Sequence, residues 1–208
     1  TESNNWALRG YLEANPRAGK KVLISSTEHP SISETAAFLS KNGYQVELLT
    51  VDNKGIVDMD KLRSALTPDT AIVSVMHVNS ETGTIQPIKE ISSIAKAVNP
   101  NIAVHSDCVQ SYGKLPVSAK LMGVDMLSVS AHKIHGPRGV GFLYVKDGIR
   151  IAPLLCGGGQ EKALRSGTEN LPGIAGFAKI AKEACGKLEE HNKHVKALNK
   201  IFREIITE

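Results

Sequence analysis

The segment Ser128–Val145, with the sequence SVSAHKIHGPRGVGFLYV, places one lysine between two strand-like runs. The first run begins at Met126 and stops at Ser130, and the second run, FLYV, begins at Phe142. The residues between them are rich in glycine and carry Lys133 between two histidines. Because this connection is too short for a crossover helix, the pattern predicts two neighbouring antiparallel strands joined by a turn that contains the lysine.

Strand-like apolar runs recur along the whole chain and alternate with helical patterns such as SISETAAFLSKNG and PIKEISSIAKAVNP. The runs are VLISS (22–26), YQVELLT (44–50), AIVSVMHV (71–78), IAVHSD (102–107), MLSVS (126–130) and FLYV (142–145). Continuous apolar strands are typical of a sheet that is covered on both faces. The alternation therefore predicts an α/β fold, a three-layer αβα arrangement with a mostly parallel sheet.

Composition and charge are ordinary for a globular domain. The 208 residues fit one domain, 41% of them are hydrophobic, and the net charge of +4 comes from interleaved lysine and glutamate. We expect no signal peptide, and no apolar run approaches the roughly 20 residues that a membrane span needs. The three cysteines are widely spaced and form no C-x-x-C pair. We therefore expect no nucleic-acid or membrane partner, no disulfide or metal site, and a cytoplasmic location.

Polar side chains follow three of the predicted strands at the point where each strand ends. They are His77 and Asn79 after AIVSVM, Asp107 and Gln110 after IAVHS, and Ser130, His132 and Lys133 after MLSVS. In open α/β sheets, ligands bind at the carboxyl ends of the strands. The sequence therefore predicts a ligand site at this edge of the sheet.

Two of these residues, Asp107 and Lys133, allow both a structural and a functional interpretation. Lys133 is either a solvated strand-end lysine or an amine that binds a carbonyl compound covalently. Asp107 either caps a following helix or pairs with a protonated ring nitrogen. Pyridoxal phosphate requires such a lysine, an acid at its pyridine nitrogen and donors to its phosphate. The turn GPRGVG matches neither of the common nucleotide-binding motifs.

His29 and Thr168 are further candidates. His29, in SSTEHPS, follows a strand and is either an ordinary loop residue or part of the site. Thr168, in RSGTEN, is either the N-cap of the long final helix or a functional residue, and the two roles are compatible.

Six segments taken together resemble the pyridoxal-phosphate cysteine desulfurases of the NifS/IscS type, in the class V aminotransferase branch of the fold-type I enzymes. They are TESNNWA, TEHPS, HVNSETG, HSDCVQSYGK, SVSAHKIHGPRGVGFLYV and GGGQEKALRSGTEN. The resemblance covers nearly the whole chain in order, and AHKIHGPRGVG and RSGTEN are specific to the desulfurase group. It implies that residues 1–208 are the large, cofactor-binding domain of a pyridoxal-phosphate-dependent transferase.

The resemblance also implies roles around the cofactor ring. Lys133 resembles the lysine that binds the cofactor and moves the substrate's Cα proton, and Asp107 resembles the acid that keeps the pyridine nitrogen protonated. His29 resembles the catalytic imidazole that stacks on the ring, and Gln110 the donor to the ring's phenolic oxygen. Asn79 matches a residue near the ring and the substrate carboxylate.

For the cofactor phosphate, the resemblance implies three ligands within the chain, Thr1, Ser130 and His132. Thr168 resembles the residue that reaches the phosphate of the neighbouring subunit, so the resemblance implies a homodimer.

The implied activity is the conversion of L-cysteine to L-alanine and an enzyme-bound persulfide, which passes sulfur to an acceptor protein for iron–sulfur assembly. The cysteine nucleophile of the family belongs to a loop beyond the matched segments, and Cys108, Cys156 and Cys185 do not match its motif. We therefore expect the 208 residues alone to be inactive. The alternatives are another class V aminotransferase, a selenocysteine lyase, or a non-catalytic module that retains the fold.

Both ends of the sequence look internal to a longer protein. The chain begins in a helical pattern without methionine, and it closes on apolar residues at helical spacing from Val195 to Ile205. We expect a domain truncated at both ends, with a final helix over 171–207 that leads towards a small C-terminal domain outside the chain.

Overall fold

The computed structural model describes residues 1–207, which form a six-stranded sheet with helices on both faces. The strands are β1 (Lys21–Ser25), β2 (Gln45–Leu49), β3 (Thr70–Ser74), β4 (Ala103–Asp107), β5 (Met126–Ser130) and β6 (Gly141–Val145). Their order is β2-β1-β3-β4-β5-β6. The first five run parallel, and β6 pairs antiparallel with β5. All six predicted strands are present, and the predicted antiparallel pair is confirmed.

Seven α-helices connect and follow the strands. They are α1 (Glu2–Ala14), α2 (Pro30–Lys41), α3 (Met59–Ala65), α4 (Ile88–Val98), α5 (Ala119–Met122), α6 (Leu171–Gly186) and α7 (Leu188–Thr207). Short 3-10 turns lie at Ala131–Ile134 and Glu161–Ala163. None of these helices, within residues 1–207, is both long and apolar enough to cross a membrane.

Successive strand residues point to opposite faces of the sheet and feed two separate apolar clusters. In β1, for example, Val22 and Ile24 belong to the cluster beneath α1 and α2, whereas Leu23 belongs to the cluster beneath α3, α4 and α6. Both faces of the sheet are therefore buried, which explains why the strands read as continuous apolar runs. The predicted three-layer αβα arrangement with a mostly parallel sheet is confirmed.

The predicted single helix over 171–207 is two helices. Helix α6 ends at Gly186, Lys187 leaves the helical region with φ −112° and ψ 19°, and α7 begins at Leu188. Glycine is a poor helix former because it loses the most backbone freedom on folding, so the break follows Gly186. The apolar residues of α7 between Val195 and Ile206 are exposed within the part of the chain that the structure describes.

Candidate functional site

The carboxyl ends of β1, β3, β4 and β5 lie along one edge of the sheet, and the predicted site residues follow these ends. Strands β4 and β5 are direct neighbours, with Asp107 paired to Ser128. Asp107 closes β4, and Lys133 lies in the 3-10 turn that follows β5. The structure therefore brings Asp107 and Lys133 to adjacent strand ends.

Asp107 is a buried carboxylate that is held from two sides. Its Oδ2 accepts a hydrogen bond from Asn4 Nδ2 at 2.6 Å, and its Oδ1 accepts one from the Val109 backbone N–H at 2.9 Å. Its backbone carbonyl accepts from the His77 N–H at 2.9 Å. Because the two donors to the carboxylate come from α1 and from the following turn, the carboxylate has a defined orientation. Asp107 forms a local turn with Val109 instead of capping a helix, since no helix follows it directly.

His29 is the N-cap of α2, so it lies at the end of β1 with its ring tied to the backbone. Its Nδ1 accepts from the Ser31 N–H at 3.1 Å and lies 2.8 Å from Ser31 Oγ. Asn4 Nδ2 also donates to Ser31 Oγ at 2.8 Å. A continuous chain of hydrogen bonds thus runs from His29 through Ser31 and Asn4 to Asp107.

Asn79 joins the end of β3 to the loop after β1. Its Nδ2 donates to the Thr27 carbonyl at 3.1 Å, and its Oδ1 accepts from the N–H groups of Glu81 and Thr82, each at 2.9 Å. Asn79 is buried, and these bonds satisfy most of the hydrogen-bonding capacity of its amide group. The loops that carry His29 and Asn79 are therefore fixed against each other.

Lys133 is exposed in its turn, which closes at His135 in the left-handed region with φ 66°. Ser130 Oγ and His132 Nδ1 lie 2.7 Å apart at the start of the same turn. The side chain of Gln110 accepts from Lys114 Nζ at 3.1 Å. Burial, and then the positive charge of Lys133, lower the pKa of Lys114. Lys114 thus lies near both Gln110 and Lys133.

Thr1 and Thr168 lie at exposed positions on other elements. Thr1 precedes α1, and its carbonyl accepts from the Asn5 N–H at 3.0 Å. Thr168 lies in the loop before α6, and its side chain makes no hydrogen bond to any residue within 1–207. The alternative in which Thr168 caps the final helix is wrong, because Asn170 is the N-cap of α6 and accepts from the Gly173 N–H at 3.1 Å.

Buried titratable groups surround Asp107, and burial shifts each of them towards its neutral form. Burial raises the pKa of Glu28 well above its ordinary value, and the charge of Asp107 raises it further. Burial lowers the pKa of His105 to about 4, although the charge of Asp107 acts in the opposite direction. Burial also raises the pKa of the Cys108 thiol to about 12. Asp107 is therefore placed among neighbours that are kept uncharged.

Sequence reasoning missed Asn4, Ser31, Glu28 and Lys114. The Asn4 contact joins residues that are 103 positions apart, so no local pattern could indicate it. Glu28 stands next to His29 in the sequence, but its role depends on a bond from the Met76 N–H to its Oε1 at 2.7 Å. The segments TESNNWA, TEHPS and HSDCVQSYGK contain all four residues, but only the fold shows what these residues contact.

Comparison with known proteins identifies the family. The family model described as Aminotransferase class-V matches residues 1–208. The chain belongs to the class V aminotransferase family. It is 50% identical over 181 residues to cysteine desulfurase IscS 1 of Archaeoglobus fulgidus. This match covers 87% of the chain and 47% of that relative. The resemblance to the NifS/IscS desulfurases is thereby confirmed.

Solved structures have the same fold. A NifS-like protein superposes with a TM-score of 0.96 at 40% identity, over 99% of the chain and 56% of that structure. The structure of SspA in complex with cysteine superposes with a TM-score of 0.82 at 38% identity, over 87% of the chain and 52% of that structure. The chain spans about half the length of the curated relatives it matches.

The cofactor of class V aminotransferases and cysteine desulfurases is pyridoxal phosphate, and the residues at the strand ends fit its chemistry. An oriented carboxylate, Asp107, suits the protonated pyridine nitrogen, and an exposed amine, Lys133, suits covalent attachment. Ser130 and His132 place a hydroxyl and an imidazole, groups of the kind that bind phosphate, in the turn that carries the lysine. The donor and acceptor set of this edge is therefore the one that the cofactor requires.

Proposed function

We propose that the protein is a pyridoxal-phosphate-dependent cysteine desulfurase that converts L-cysteine to L-alanine and an enzyme-bound persulfide. The observation that carries the proposal is the placement of Asp107 and Lys133 at the ends of adjacent strands, in a chain that is 50% identical to a cysteine desulfurase. The roles of the surrounding residues are those that the resemblance to the desulfurases implies.

Pyridoxal phosphate, when bound, supplies an electron sink for the bonds at the substrate's Cα. Lys133 holds the cofactor through its amine and then moves the proton at the substrate's Cα. Asp107 keeps a proton on the pyridine nitrogen, and His29 lies against the ring. Gln110 donates to the phenolic oxygen, and Asn79 lies near the substrate carboxylate.

The cofactor phosphate is bound by Thr1, Ser130 and His132 of one subunit. Thr168 reaches the phosphate of a second subunit, so the protein is a homodimer. The exposure of Thr168 and its lack of a side-chain hydrogen bond within residues 1–207 support this assignment.

Sulfur transfer requires a thiolate placed at the substrate's sulfur. Cys108 does not meet this requirement, because it is fully buried and its thiol pKa is raised to about 12. Cys156 and Cys185 are exposed, and neither matches the nucleophile motif of the family. We therefore place the nucleophile outside residues 1–208. The persulfide sulfur then passes to an acceptor protein for iron–sulfur assembly in the cytoplasm.

Cofactor attachment is tested by adding pyridoxal phosphate, recording the visible absorbance, reducing with borohydride and mapping the labelled peptide. We expect the pyridoxyl group on Lys133 and its complete loss in Lys133→Ala, while the fold stays intact by circular dichroism. Lys120→Ala, which removes an exposed lysine of α5, is the matched control and retains the label. A label on another lysine, or none in the unaltered protein, contradicts the assignment.

Activity is tested by measuring alanine and sulfide from cysteine in the presence of cofactor and reductant. We expect turnover by the full-length gene product and none by the 208-residue chain, because correct positioning of reacting groups is worth roughly 7–11 kcal/mol in favourable cases. Turnover by the 208-residue chain would place the nucleophile within it. Activity only with selenocysteine, or only with a keto-acid acceptor, would favour a selenocysteine lyase or an aminotransferase. Failure to bind cofactor would favour the non-catalytic module.

The role of Thr168 is tested by labelling after two variants, Lys133→Ala and Thr168→Ala, are mixed under conditions that exchange subunits. If Thr168 serves the partner's site, each mixed dimer contains one site with both wild-type residues, and labelling at Lys133 returns. If Thr168 serves its own subunit, the mixed dimer contains no complete site and labelling stays at the level of the Thr168→Ala protein.

A further inference from the structure

Asn4, in the first turn of α1, contacts two parts of the strand-end site at once. Its Nδ2 donates to Asp107 Oδ2 at 2.6 Å and to Ser31 Oγ at 2.8 Å, so both hydrogens of the amide are used. The side chain is only 2% exposed. An ionised carboxylate can only accept hydrogen bonds, so the amide must present its nitrogen, not its oxygen, to Asp107. This contact fixes the orientation of the amide.

The orientation of Asn4 and the backbone N–H of Ser31 together decide how Ser31 and His29 share their protons. Ser31 Oγ accepts from Asn4, so its own hydrogen is free to donate to His29 Nδ1, which lies 2.8 Å away. The backbone N–H of Ser31 points at the same ring nitrogen from 3.1 Å. Because two donors face Nδ1, the neutral ring of His29 carries its proton on Nε2.

Asn4 also completes the coordination of the Asp107 carboxylate. The Val109 N–H holds Oδ1 at 2.9 Å, and Asn4 holds Oδ2. Hydrogen bonds from N–H groups to a carboxylate are among the stronger ones in proteins, and two from different directions fix its plane. The amide oxygen of Asn4 is buried and has no hydrogen-bond partner within residues 1–207. The side-chain hydrogen bonds of Asn4 are therefore made by its nitrogen alone.

We propose that Asn4 is a positioning residue that holds the Asp107 carboxylate and the His29 ring as one unit, with the His29 proton on Nε2. This inference rests on the proposed function, in which Asp107 and His29 contact the ring of pyridoxal phosphate. Asn4 itself touches neither the ring nor the substrate in this scheme. It acts by fixing the direction in which Asp107 accepts and by leaving His29 with a donor at Nε2.

The first measurement needs no cofactor. Nitrogen-15 spectra of histidine-labelled protein report which ring nitrogen of His29 is protonated, and His29→Gln assigns the signals. We expect an unprotonated Nδ1 in the unaltered protein and a detectable Nδ1–H population in Asn4→Ala and in Ser31→Ala. Asn15→Ala is the matched control, because it removes an amide at the opposite end of α1 that makes two bonds of 2.8 Å. It leaves the His29 signals unchanged.

The second measurement is the affinity for pyridoxal phosphate. We expect roughly tenfold weaker binding in Asn4→Ala, as is common when a group that orients a ligand-binding side chain is removed, and no change in Asn15→Ala. Asn4→Asp keeps the shape but places an acceptor against Asp107, so it binds no better than Asn4→Ala.

Two results would overturn the inference. One is a His29 proton on Nδ1 in the unaltered protein, and the other is an Asn4→Ala protein that matches Asn15→Ala in the His29 spectrum or in cofactor affinity. If the unaltered protein attaches no cofactor at Lys133, the proposed function fails, and the spectra of cofactor-free protein still decide whether Asn4 controls the His29 ring.

Discussion

His105 offers a direct test of how the sheet supports the site, because the neutral ring of this β4 residue contacts side chains of both neighbouring strands. Its Nδ1 lies 2.9 Å from Ser74 Oγ of β3, and its Nε2 lies 2.9 Å from Ser128 Oγ of β5. The ring is fully buried, and burial lowers its pKa to about 4. Protonation would place a charge in the centre of the sheet without a direct anionic partner.

The sign and size of the pH effect follow from this pKa. The folded-state pKa lies below the unfolded value of about 6.5, so the neutral ring stabilises the fold fully above about pH 6.5. This contribution is lost as the pH falls towards 4. The gap between about 6.5 and about 4 corresponds to roughly 3 kcal/mol of unfolding free energy.

The perturbation is His105→Gln, which keeps hydrogen-bonding groups but cannot titrate. Urea unfolding followed by circular dichroism gives the unfolding free energy at intervals between pH 7.5 and pH 4. We expect the variant to be less stable than the unaltered protein at pH 7.5, because its amide cannot match the ring geometry. Between pH 7 and pH 4, it loses roughly 3 kcal/mol less than the unaltered protein.

The control is His194→Gln, which removes an exposed histidine of α7 and leaves the pH curve unchanged. Because carboxylates titrate in the same range in every variant, only the difference between the curves reports on His105. Parallel curves for the unaltered protein and His105→Gln over pH 7 to 4 would refute the buried, neutral histidine.

Three further predictions concern other buried groups. Glu28→Gln gains stability relative to the unaltered protein as the pH rises above about 4.3, because the raised pKa of Glu28 means that folding opposes its ionisation; equal differences at pH 4 and pH 8 would contradict this. Lys96→Ala lowers the unfolding free energy by roughly 3 kcal/mol, because it leaves the buried Asp125 carboxylate without its 2.6 Å partner. The control is Lys200, whose ion pair is exposed. We expect Lys200→Ala to change the unfolding free energy by less than about 1 kcal/mol in the same urea assay. Finally, a thiol reagent modifies the two exposed cysteines of the folded protein quickly and Cys108 only after unfolding, and rapid modification of all three would show that Cys108 is accessible.

The sequence was sufficient for the sheet because the four central strands, β1, β3, β4 and β5, are buried on both faces. A run such as AIVSVM is typical of a strand that is buried on both faces, and the short link between β5 and β6 allowed only an antiparallel pair. The placement of Asp107 and Lys133 at adjacent strand ends followed from the same pattern. These features depend on local sequence, so local sequence could predict them.

Other features depend on contacts between distant elements and could not be predicted in this way. The contact of Asn4 with Asp107 requires α1 to lie against the end of β4, and no periodicity within either segment indicates this. The break at Lys187 was missed because one glycine in a long helical pattern is often tolerated. Asn170 was missed as the cap of α6 because Thr168 and Asn170 are both good capping residues only two positions apart.

The strand order β2-β1-β3-β4 has a consequence for how the site can change by substitution during evolution. From β1 the chain moves outward in one direction, through α2 to β2, and from β3 it moves in the other direction, through α4 to β4. Since crossovers between parallel strands are right-handed, these two helices lie on opposite faces of the sheet, and the chain path reverses between the ends of β1 and β3. The position of this reversal is therefore a property of the chain path and does not depend on the side chains that line it. Substitutions in the loops can alter what is bound there while the strands keep the same packing. Binding therefore depends on loop residues, and folding depends on strand residues.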